Sequence, residues 1–242
     1  MPGGGGSGSN RLRKGSFQSA REGACSRKKA AVRVHSLRPL FLLFLSLGLG
    51  FPGLLQATSY QVDSSKSRVE VLVLRAGLLG FLGHDHEIVS RKLSGTVRYT
   101  PPSVSSLEAD ITIPALSLTV VDPQVPLKER REVQSIMQGE RVLDVARYPE
   151  IHFTSTGAVP GRTAGQALVS GSLSLHGAVK KIRFPVRFSA TGGELRATGT
   201  AQVRQTDFGI EPIRIAGGTV RVKDLVEIHF SLVAHQGPED GR

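Results

Sequence analysis

Apolar and polar side chains alternate with a period of two through most of the chain after Tyr60. In the stretch RVEVLVLRAG, for example, Val69, Val71 and Val73 occupy every second position. Such alternation places every second side chain on one face of an extended strand and is typical of a sheet with one buried face. Comparable runs cover Leu93–Tyr99, Leu107–Ile113, Ser117–Val121, Ile151–Thr156, Ala167–Leu175 and Lys181–Phe188, and two more begin at Glu194 and Thr219. The pattern therefore predicts about eight strands.

The apolar spacing changes to three and four between Pro126 and Gly139, in a pattern that includes Leu127, Val133, Ile136 and Met137. Proline suits the first turn of a helix, and glycine commonly follows the last. The segment therefore predicts one amphipathic helix of about three turns between the two halves of the strand pattern.

Turn dipeptides stand between the later strands at Pro160-Gly161, Gly192-Gly193 and Gly217-Gly218. Connections this short favour antiparallel neighbours. We therefore expect residues 58–242 to form one all-β domain, a closed antiparallel β-barrel of about eight strands with one inserted amphipathic helix, or else a sandwich. A barrel of this size can have a packed interior or hold one small ligand.

The first 57 residues have a different composition, with nine Lys and Arg residues against one acid, Glu22. Basic residues precede an apolar run, Leu40–Leu49, which Pro52-Gly53 and Ala57 follow. This is the order of a secretory signal peptide, and the run is too short for a comfortable membrane span. We expect a cleaved leader and a periplasmic or secreted protein; an uncleaved N-terminal anchor and a cytoplasmic protein are the alternatives.

The formal charge of +11 comes mostly from that leader, since residues 58–242 carry 22 Lys and Arg against 19 acids. The chain has no Trp and three Tyr, which leaves little material for stacking on bases. Composition therefore argues against a nucleic-acid partner. Cys25, the only cysteine, lies in the leader, so residues 58–242 have no disulfide framework and no thiol nucleophile.

A series of short motifs runs along the chain at Tyr60, Asp63, Ser67, Leu116–Leu118, Val142–Asp144, Tyr148–Thr156, Gly171–Gly177, Lys180 and Thr206–Ile210. Two of them are fairly specific: a Tyr-Pro-x-Ile-x-Phe-x-Ser-Thr pattern and a Gly-x-Leu-x-Leu-His-Gly pattern. Together they resemble the YceI family. The resemblance implies a lipocalin-like barrel that holds a polyisoprenoid or related amphiphile in its lumen, usually in the periplasm. The segment Gly83–His86 departs from the common members, so this chain looks like a divergent branch and ligand identity carries over poorly.

The inward-facing apolar positions are the candidates for ligand contact, because an isoprenoid-like molecule would be held mainly by apolar burial. They are Val71, Val73, Ile111, Ile113, Ile151, Phe153, Leu173, Leu175, Phe184, Ile228 and Phe230. The same residues could instead fill a solid core, and composition does not distinguish a tunnel from a packed interior.

His84 and His86 stand two residues apart, so on an extended backbone both imidazoles would face the same way. They are candidates for a metal site or for contact with a ligand headgroup or a partner, and a hydrogen-bonded structural loop is the third possibility. The cations of Lys128–Arg131 could meet a pyrophosphate at the barrel mouth, but a solvated helix face explains them better.

No motif for a nucleophile elbow, a phosphate-binding loop, paired cysteines or a helical zinc site is present in the sequence. The isolated aspartates Asp122, Asp144 and Asp207 fit turns and caps. We therefore expect a non-enzymatic protein without a cofactor that binds an apolar or amphiphilic small molecule. It would come close to a membrane only transiently, and its oligomeric state stays open. The alternative is an interaction or metal-sensing module that acts through His84–His86.

Overall fold

A computed structural model of the chain describes residues 56–76, 85–215 and 219–237. Residues 1–55 of the leader, His84 and the Gly217-Gly218 turn lie outside these residues, so the expectations attached to them stay predictions. The boundary proposed between residues 57 and 58 is likewise untested.

The described residues form fourteen strands and one α-helix, α1. The strands before α1 are β1 (Thr58–Val62), β2 (Arg68–Val73), β3 (Arg75–Ala76), β4 (His86–Ser90), β5 (Ser94–Thr100), β6 (Ser103–Pro114) and β7 (Thr119–Val120). After α1 (Leu127–Gln138) come β8 (Glu150–Pro160), β9 (Gln166–Leu175), β10 (Ala178–Thr191), β11 (Glu194–Arg204), β12 (Arg214–Ile215), β13 (Val220–Val222) and β14 (Leu225–Gln236).

Eight strands close into an antiparallel barrel in the order β1-β5-β6-β8-β9-β10-β11-β14, and β14 pairs back onto β1. The wall also continues through β2, β4 and β7. This is possible because β14 is long: it pairs with β1 through Ala234–Gln236 and with β2 through Glu227–Ser231. The barrel prediction is therefore confirmed, with some strand positions split into two segments.

The split between β1 and β2 is made by Ser67, which is fully buried. Its hydroxyl donates to the carbonyl oxygen of Val233 (3.2 Å) and accepts from the Val233 amide (3.0 Å). The Val233 carbonyl oxygen also accepts the backbone N–H of Asp63 (2.8 Å), so the Ser67 hydroxyl is the partner of the Val233 amide and neither backbone group of Val233 is left unsatisfied.

The predicted helix at Pro126–Gly139 is confirmed, with Pro126 and Gly139 as its caps. The strand predicted at Ser117–Val121 is largely wrong, because Ala115–Ser117 forms a 3₁₀ turn and β7 has two residues. The run beginning at Thr219 is two strands, β13 and β14, since Lys223-Asp224 interrupts it. The strands β12, β13 and β3 form a separate three-stranded sheet.

One end of the barrel, which we call the hairpin end, carries the connections β5–β6, β8–β9 and β10–β11. It is filled by a buried cluster in which the rings of Tyr99 and Phe188 meet edge to face at 5.4 Å, with Leu195 and Ala234 beside them. This end is packed like an ordinary core.

The other end, which we call the helix end, carries α1. The amide nitrogen of Gln134 donates to the carbonyl oxygen of Leu118 (2.8 Å), and its amide oxygen accepts from the backbone N–H of Val120 (2.7 Å). Met137 is buried against Leu118 and Leu143. The helix is thus attached to β7 by polar contacts and to the interior by an apolar one.

The wall is incomplete between β10 and β11. Their ladder begins at Val186 and Gly199, so residues 178–185 of β10 pair with β9 alone. Pro185 lies at this boundary and has no N–H to donate, which explains why the ladder stops there. A 3₁₀ turn, Gln205–Phe208, packs against the free part of β10 and buries the Phe208 ring almost completely.

Candidate functional site

The barrel interior contains an apolar cavity of about 250 Å³. Among the residues that line it, Gln205 is the only one with a polar side chain. The structure places all eleven predicted lumen residues in this lining: Val71, Val73, Ile111, Ile113, Ile151, Phe153, Leu173, Leu175, Phe184, Ile228 and Phe230. Their part in ligand binding stays a prediction.

The inward-facing side chains near the middle of the barrel are only partly buried, unlike those at the hairpin end. Phe153, Ile228 and Phe230 face inward but keep part of their surface accessible. In a packed interior, side chains of this size would be fully enclosed. The cavity therefore lies in the middle of the barrel. Its lining reaches Phe188 and Leu195 of the buried cluster at the hairpin end, and Met137 and Leu143 of the buried cluster at the helix end.

Three phenylalanines line the cavity as a chain of contacts. The ring centroids are 5.4 Å apart for Phe153 and Phe184, and 5.7 Å apart for Phe184 and Phe230. Gly171 and Gly199 make room for the two outer rings, since a Cβ at Gly171 would collide with Phe153 and one at Gly199 would lie 2.6 Å from Phe230. The glycine of the Gly-x-Leu-x-Leu-His-Gly pattern thus shapes the wall.

The cavity volume limits what can be enclosed. An apolar cavity of about 150 Å³ accommodates benzene, so about 250 Å³ accommodates roughly ten carbon atoms. Burying a chain of that length contributes about 8 kcal/mol before the cost of immobilisation. A short apolar chain, or one end of a longer chain, fits this cavity.

His86 lies at the helix end, on the inner face of β4, directly opposite Val73. Its Nδ1 is 2.7 Å from a carboxylate oxygen of Asp122, and the other oxygen accepts the backbone N–H of Glu87 at 2.6 Å. Asp122 is buried, with 4% of its surface exposed. Asp122 does begin a turn, since its carbonyl oxygen accepts the Val125 amide at 3.3 Å. The side-chain turn or cap expected for it is wrong, because the carboxylate instead bonds β4, 35 residues earlier in the chain.

The Asp122 contact fixes the orientation of the His86 ring and leaves Nε2 without a hydrogen-bond partner among the described residues. That nitrogen is available to a ligand as an acceptor, or as a donor when the ring is protonated. No group of three or more potential metal-binding side chains occurs within residues 56–76, 85–215 and 219–237. His84 lies outside these ranges, so the proposed His84–His86 metal site stays a prediction.

The cations of α1 lie on a solvated surface. Lys128 and Arg131 are exposed, and Arg130 is half-buried. This arrangement agrees with the solvated helix face rather than with a headgroup site.

A different cation, Lys180, occupies the inner row of β10. It is directly opposite Leu173 and two residues before Ile182, and both of those residues line the cavity. Lys180 is nevertheless exposed, because the part of β10 that carries it has no β11 partner. Counting back in twos from Phe184 places Lys180 on the inner face, so the sequence does contain a signal for this position, although we predicted only a motif residue there.

Three described carboxyl groups have a lowered pKa, and none of them lines the cavity. The hydroxyl of Ser65 donates to Asp63 and lowers the pKa of that carboxyl. On the outer surface, Nε2 of His152 lies 2.9 Å from Oδ1 of Asp110 and lowers the pKa of that carboxyl. The third is Asp224, at the base of the 3₁₀ turn. These shifts belong to structural contacts of the wall.

No helix in the described parts of the chain has the length and apolar character needed to cross a membrane.

Comparisons with known proteins agree with this architecture. The family model for the YceI-like domain matches residues 60–234. A UPF0312 protein of Pseudomonas savastanoi pv. phaseolicola is 43% identical over 75 residues, which cover 28% of this chain and 38% of that protein. The chain thus matches less than half the length of this curated relative.

Two solved structures are similar in fold. The crystal structure of BcnA from Burkholderia cenocepacia has a TM-score of 0.59 and 22% identity, covering 72% of this chain and 99% of BcnA. A mutant of the Campylobacter jejuni YCEI protein has a TM-score of 0.51 and 14% identity, covering 62% of this chain and 85% of that protein. Because the family match runs from the first barrel strand into the last, the chain belongs to the family defined by the YceI-like domain.

Proposed function

We propose that this protein is a non-catalytic carrier that binds an apolar or amphiphilic small molecule inside its barrel, in the cell envelope. The observation that carries the proposal is the apolar cavity of about 250 Å³, whose lining has one polar side chain, Gln205. Such a surface binds through apolar burial and selects against strongly polar ligands.

The ligand class that fits best is an isoprenoid-like chain. Its branched methyl groups suit a wall of Val, Ile, Leu and Phe, and about ten carbons fit inside. A longer polyisoprenoid would extend beyond the cavity at the helix end, because the hairpin end is packed.

Two polar groups at the helix end could meet the head of an amphiphile. Nε2 of His86 has no hydrogen-bond partner among the described residues, and Lys180 has no carboxylate partner there. An alcohol or a phosphate oxygen could bind to either group. This end of the barrel would then distinguish amphiphiles by their heads, while the cavity binds their tails.

The proposed location rests on the leader, in which basic residues precede the apolar run Leu40–Leu49. N-terminal sequencing of the protein from its own cells tests it. A mature N-terminus near Ala57 supports export, and a retained leader contradicts cleavage.

The binding proposal is tested by titrating the protein with an apolar fluorescent probe, N-phenyl-1-naphthylamine, and displacing the probe with farnesol. We expect saturable binding, and at least a tenfold loss of affinity, about 1.4 kcal/mol, in Ile228→Trp, because the indole fills the cavity. The matched control is Thr198→Trp, which adds the same ring to the outer face of β11.

Equal probe binding by the wild type and both tryptophan variants would place the probe on the outer surface and contradict the proposal. Native mass spectrometry of protein purified from its own envelope gives the natural ligand as an added mass. Consistently unliganded protein that also fails to bind the probe would indicate an interaction module instead.

A further inference from the structure

The outer face of the β9–β10 hairpin carries positive charge and no negative charge. Between Glu150 and Glu194 the sequence has no Asp or Glu. The same span contains five cations, Arg162, Lys180, Lys181, Arg183 and Arg187. Elsewhere in residues 58–242 acids and cations are nearly balanced, so this part of the barrel differs from the rest of its surface.

The strand register puts three of these cations in one outward row. Along β10, Phe184, Val186 and Phe188 are buried, so the alternate residues Lys181, Arg183 and Arg187 point away from the barrel and are exposed. Because strands rise about 3.3 Å per residue, the row extends over about 20 Å.

The neighbours of the row are neutral. Lys181, Arg183 and Arg187 stand opposite Ser172, Ser170 and Gln166 of β9, and Arg187 also stands opposite Thr198 of β11. None of the three cations has a carboxylate partner among the described residues, whereas Arg68, Arg98, Arg196 and Arg204 each have one. The outward row therefore presents uncompensated charge to the solvent.

Exposed aliphatic side chains share this face. Val179, two residues before Lys181, is 64% exposed, and Val159 on β8 is 47% exposed. Val159 pairs with Leu168, which pairs with Pro185, so an aliphatic row crosses the three strands between Arg183 and Arg187.

We propose that this outer face of β8–β10 docks the barrel on an anionic lipid surface. Cations bind the phosphate groups, and short aliphatic side chains enter the headgroup region between them. A nucleic acid also has phosphates, but it is bound with stacking aromatic rings, and the phenylalanines of β8 and β10 all point inward.

Some of these cations also have a structural role that is independent of docking. Lysine and arginine beside an unpaired strand edge prevent pairing with other chains, and Lys181 and Arg183 lie on the free part of β10. That role does not extend to Arg187, which lies where β10 pairs on both sides, nor does it explain the absence of acids over the whole span.

The test measures binding of the full chain to vesicles of phosphatidylcholine with and without phosphatidylglycerol. The test variant is Lys181→Glu/Arg183→Glu/Arg187→Glu. Its matched control, Arg91→Glu/Lys92→Glu/Arg141→Glu, changes the net charge equally at exposed positions on other parts of the chain. The leader is identical in all three proteins, so its own affinity for lipid cancels in the comparison.

We expect affinity for the anionic vesicles to fall at least about a hundredfold in the test variant, since each surface cation that is lost contributes about fivefold. The control variant should lose less than about threefold, and binding to pure phosphatidylcholine should not distinguish the proteins. The neutral variant Lys181→Gln/Arg183→Gln/Arg187→Gln should show a loss in the same direction and covers the case in which charge reversal impairs folding.

Equal losses in the test and control variants would show a non-specific charge effect and overturn the proposal. So would unchanged vesicle binding in a folded test variant. A loss of affinity for a single-stranded oligonucleotide, with vesicle binding intact, would assign the face to nucleic acid and overturn it as well. The outcome does not depend on a ligand in the cavity.

Discussion

At the scale of single residues, the contact between His86 and Asp122 is the most constrained polar feature at the helix end. Both carboxylate oxygens of the buried Asp122 have a donor, the His86 ring and the Glu87 amide. A buried carboxylate is tolerated only when its oxygens are satisfied in this way. The contact holds the start of β4 to the segment that leads into α1.

Replacing Asp122 by alanine should lower the free energy of unfolding by about 2–3 kcal/mol, because the Glu87 amide and the His86 ring lose their acceptor. His86→Ala alone should cost about 1–2 kcal/mol. Urea unfolding of both single variants and the double variant measures the coupling, which we expect to be about 1 kcal/mol or more. Strictly additive effects would mean that the two side chains act independently.

Gly171 gives a second prediction for a single position. The methyl group of Gly171→Ala would collide with the Phe153 ring and lie 2.6 Å from the backbone carbonyl oxygen of Thr154, so the variant should lose about 1–3 kcal/mol of unfolding free energy. Adding Phe153→Leu should recover part of the loss, because the smaller side chain vacates the space. If the double variant is less stable than the alanine variant, the Phe153 ring is not the obstacle.

The sequence predicts which residues line the cavity, but it does not predict the contact between His86 and Asp122. Alternation of period two identifies Val71, Phe153 and Ile228 as inward, because one face of each strand points to the barrel interior along its whole length. The partner of His86 lies 36 residues away in a segment without a pattern, so no local spacing indicates it.

At the scale of elements, the 3₁₀ turn Gln205–Phe208 completes the wall where β10 and β11 separate. Asp224 holds the turn: its carboxylate accepts the backbone N–H and the hydroxyl of Thr206, both at 2.9 Å, and a weaker bond from Arg204 at 3.4 Å. Burial alone would raise the pKa of Asp224, but these hydrogen bonds outweigh it and lower the pKa below the ordinary value.

A lowered pKa makes the contribution of Asp224 to stability depend on pH. The contribution is complete above the pKa of the unfolded chain, about 4, and is lost as pH falls through the lower pKa of the folded protein. We expect Asp224→Asn to be less stable than the wild type at neutral pH, with the difference shrinking below about pH 4. Urea unfolding across this range measures it; a difference that grows on acidification would reverse the assigned direction.

Phe208 is the side chain that fills the opening. Phe208→Ala should reduce the free energy of unfolding by about 3–5 kcal/mol, as for other buried phenylalanines, and should speed probe release because the wall is less complete. Stopped-flow dilution of the probe complex gives the release rate. An unchanged rate in the folded variant would show that the probe leaves by another route.

Local sequence signals predict the ends of some elements correctly and those of others wrongly. Pro126 and Gly139 bound α1 because capping chemistry depends on adjacent residues. Ser117–Val121 alternates like a strand, yet Gln134 of α1 provides the bonds to Leu118 and Val120 and leaves room for two strand residues only. The interruption at Ser67 likewise depends on Val233, at the far end of the chain.

At the scale of the whole molecule, the closed barrel agrees with the strand count and the short turns, and the family motifs lie along its wall. The position of the cavity in the middle of the barrel is not visible in the sequence, because Val, Ile, Leu and Phe can fill a core as well as line a cavity. It arises from side-chain volumes across facing strands, with Tyr99 and Phe188 filling the hairpin end and Gly171 and Gly199 making room for the Phe153 and Phe230 rings.

Methyl-resolved NMR with added farnesol reports directly whether an apolar ligand enters the cavity. We expect saturable shifts at the methyl groups of lining residues such as Val71, Ile151 and Ile228, with Val179 and Leu168 on the outer face unchanged. Shifts confined to outer methyl groups, or no shifts in the folded protein, would contradict binding inside the cavity.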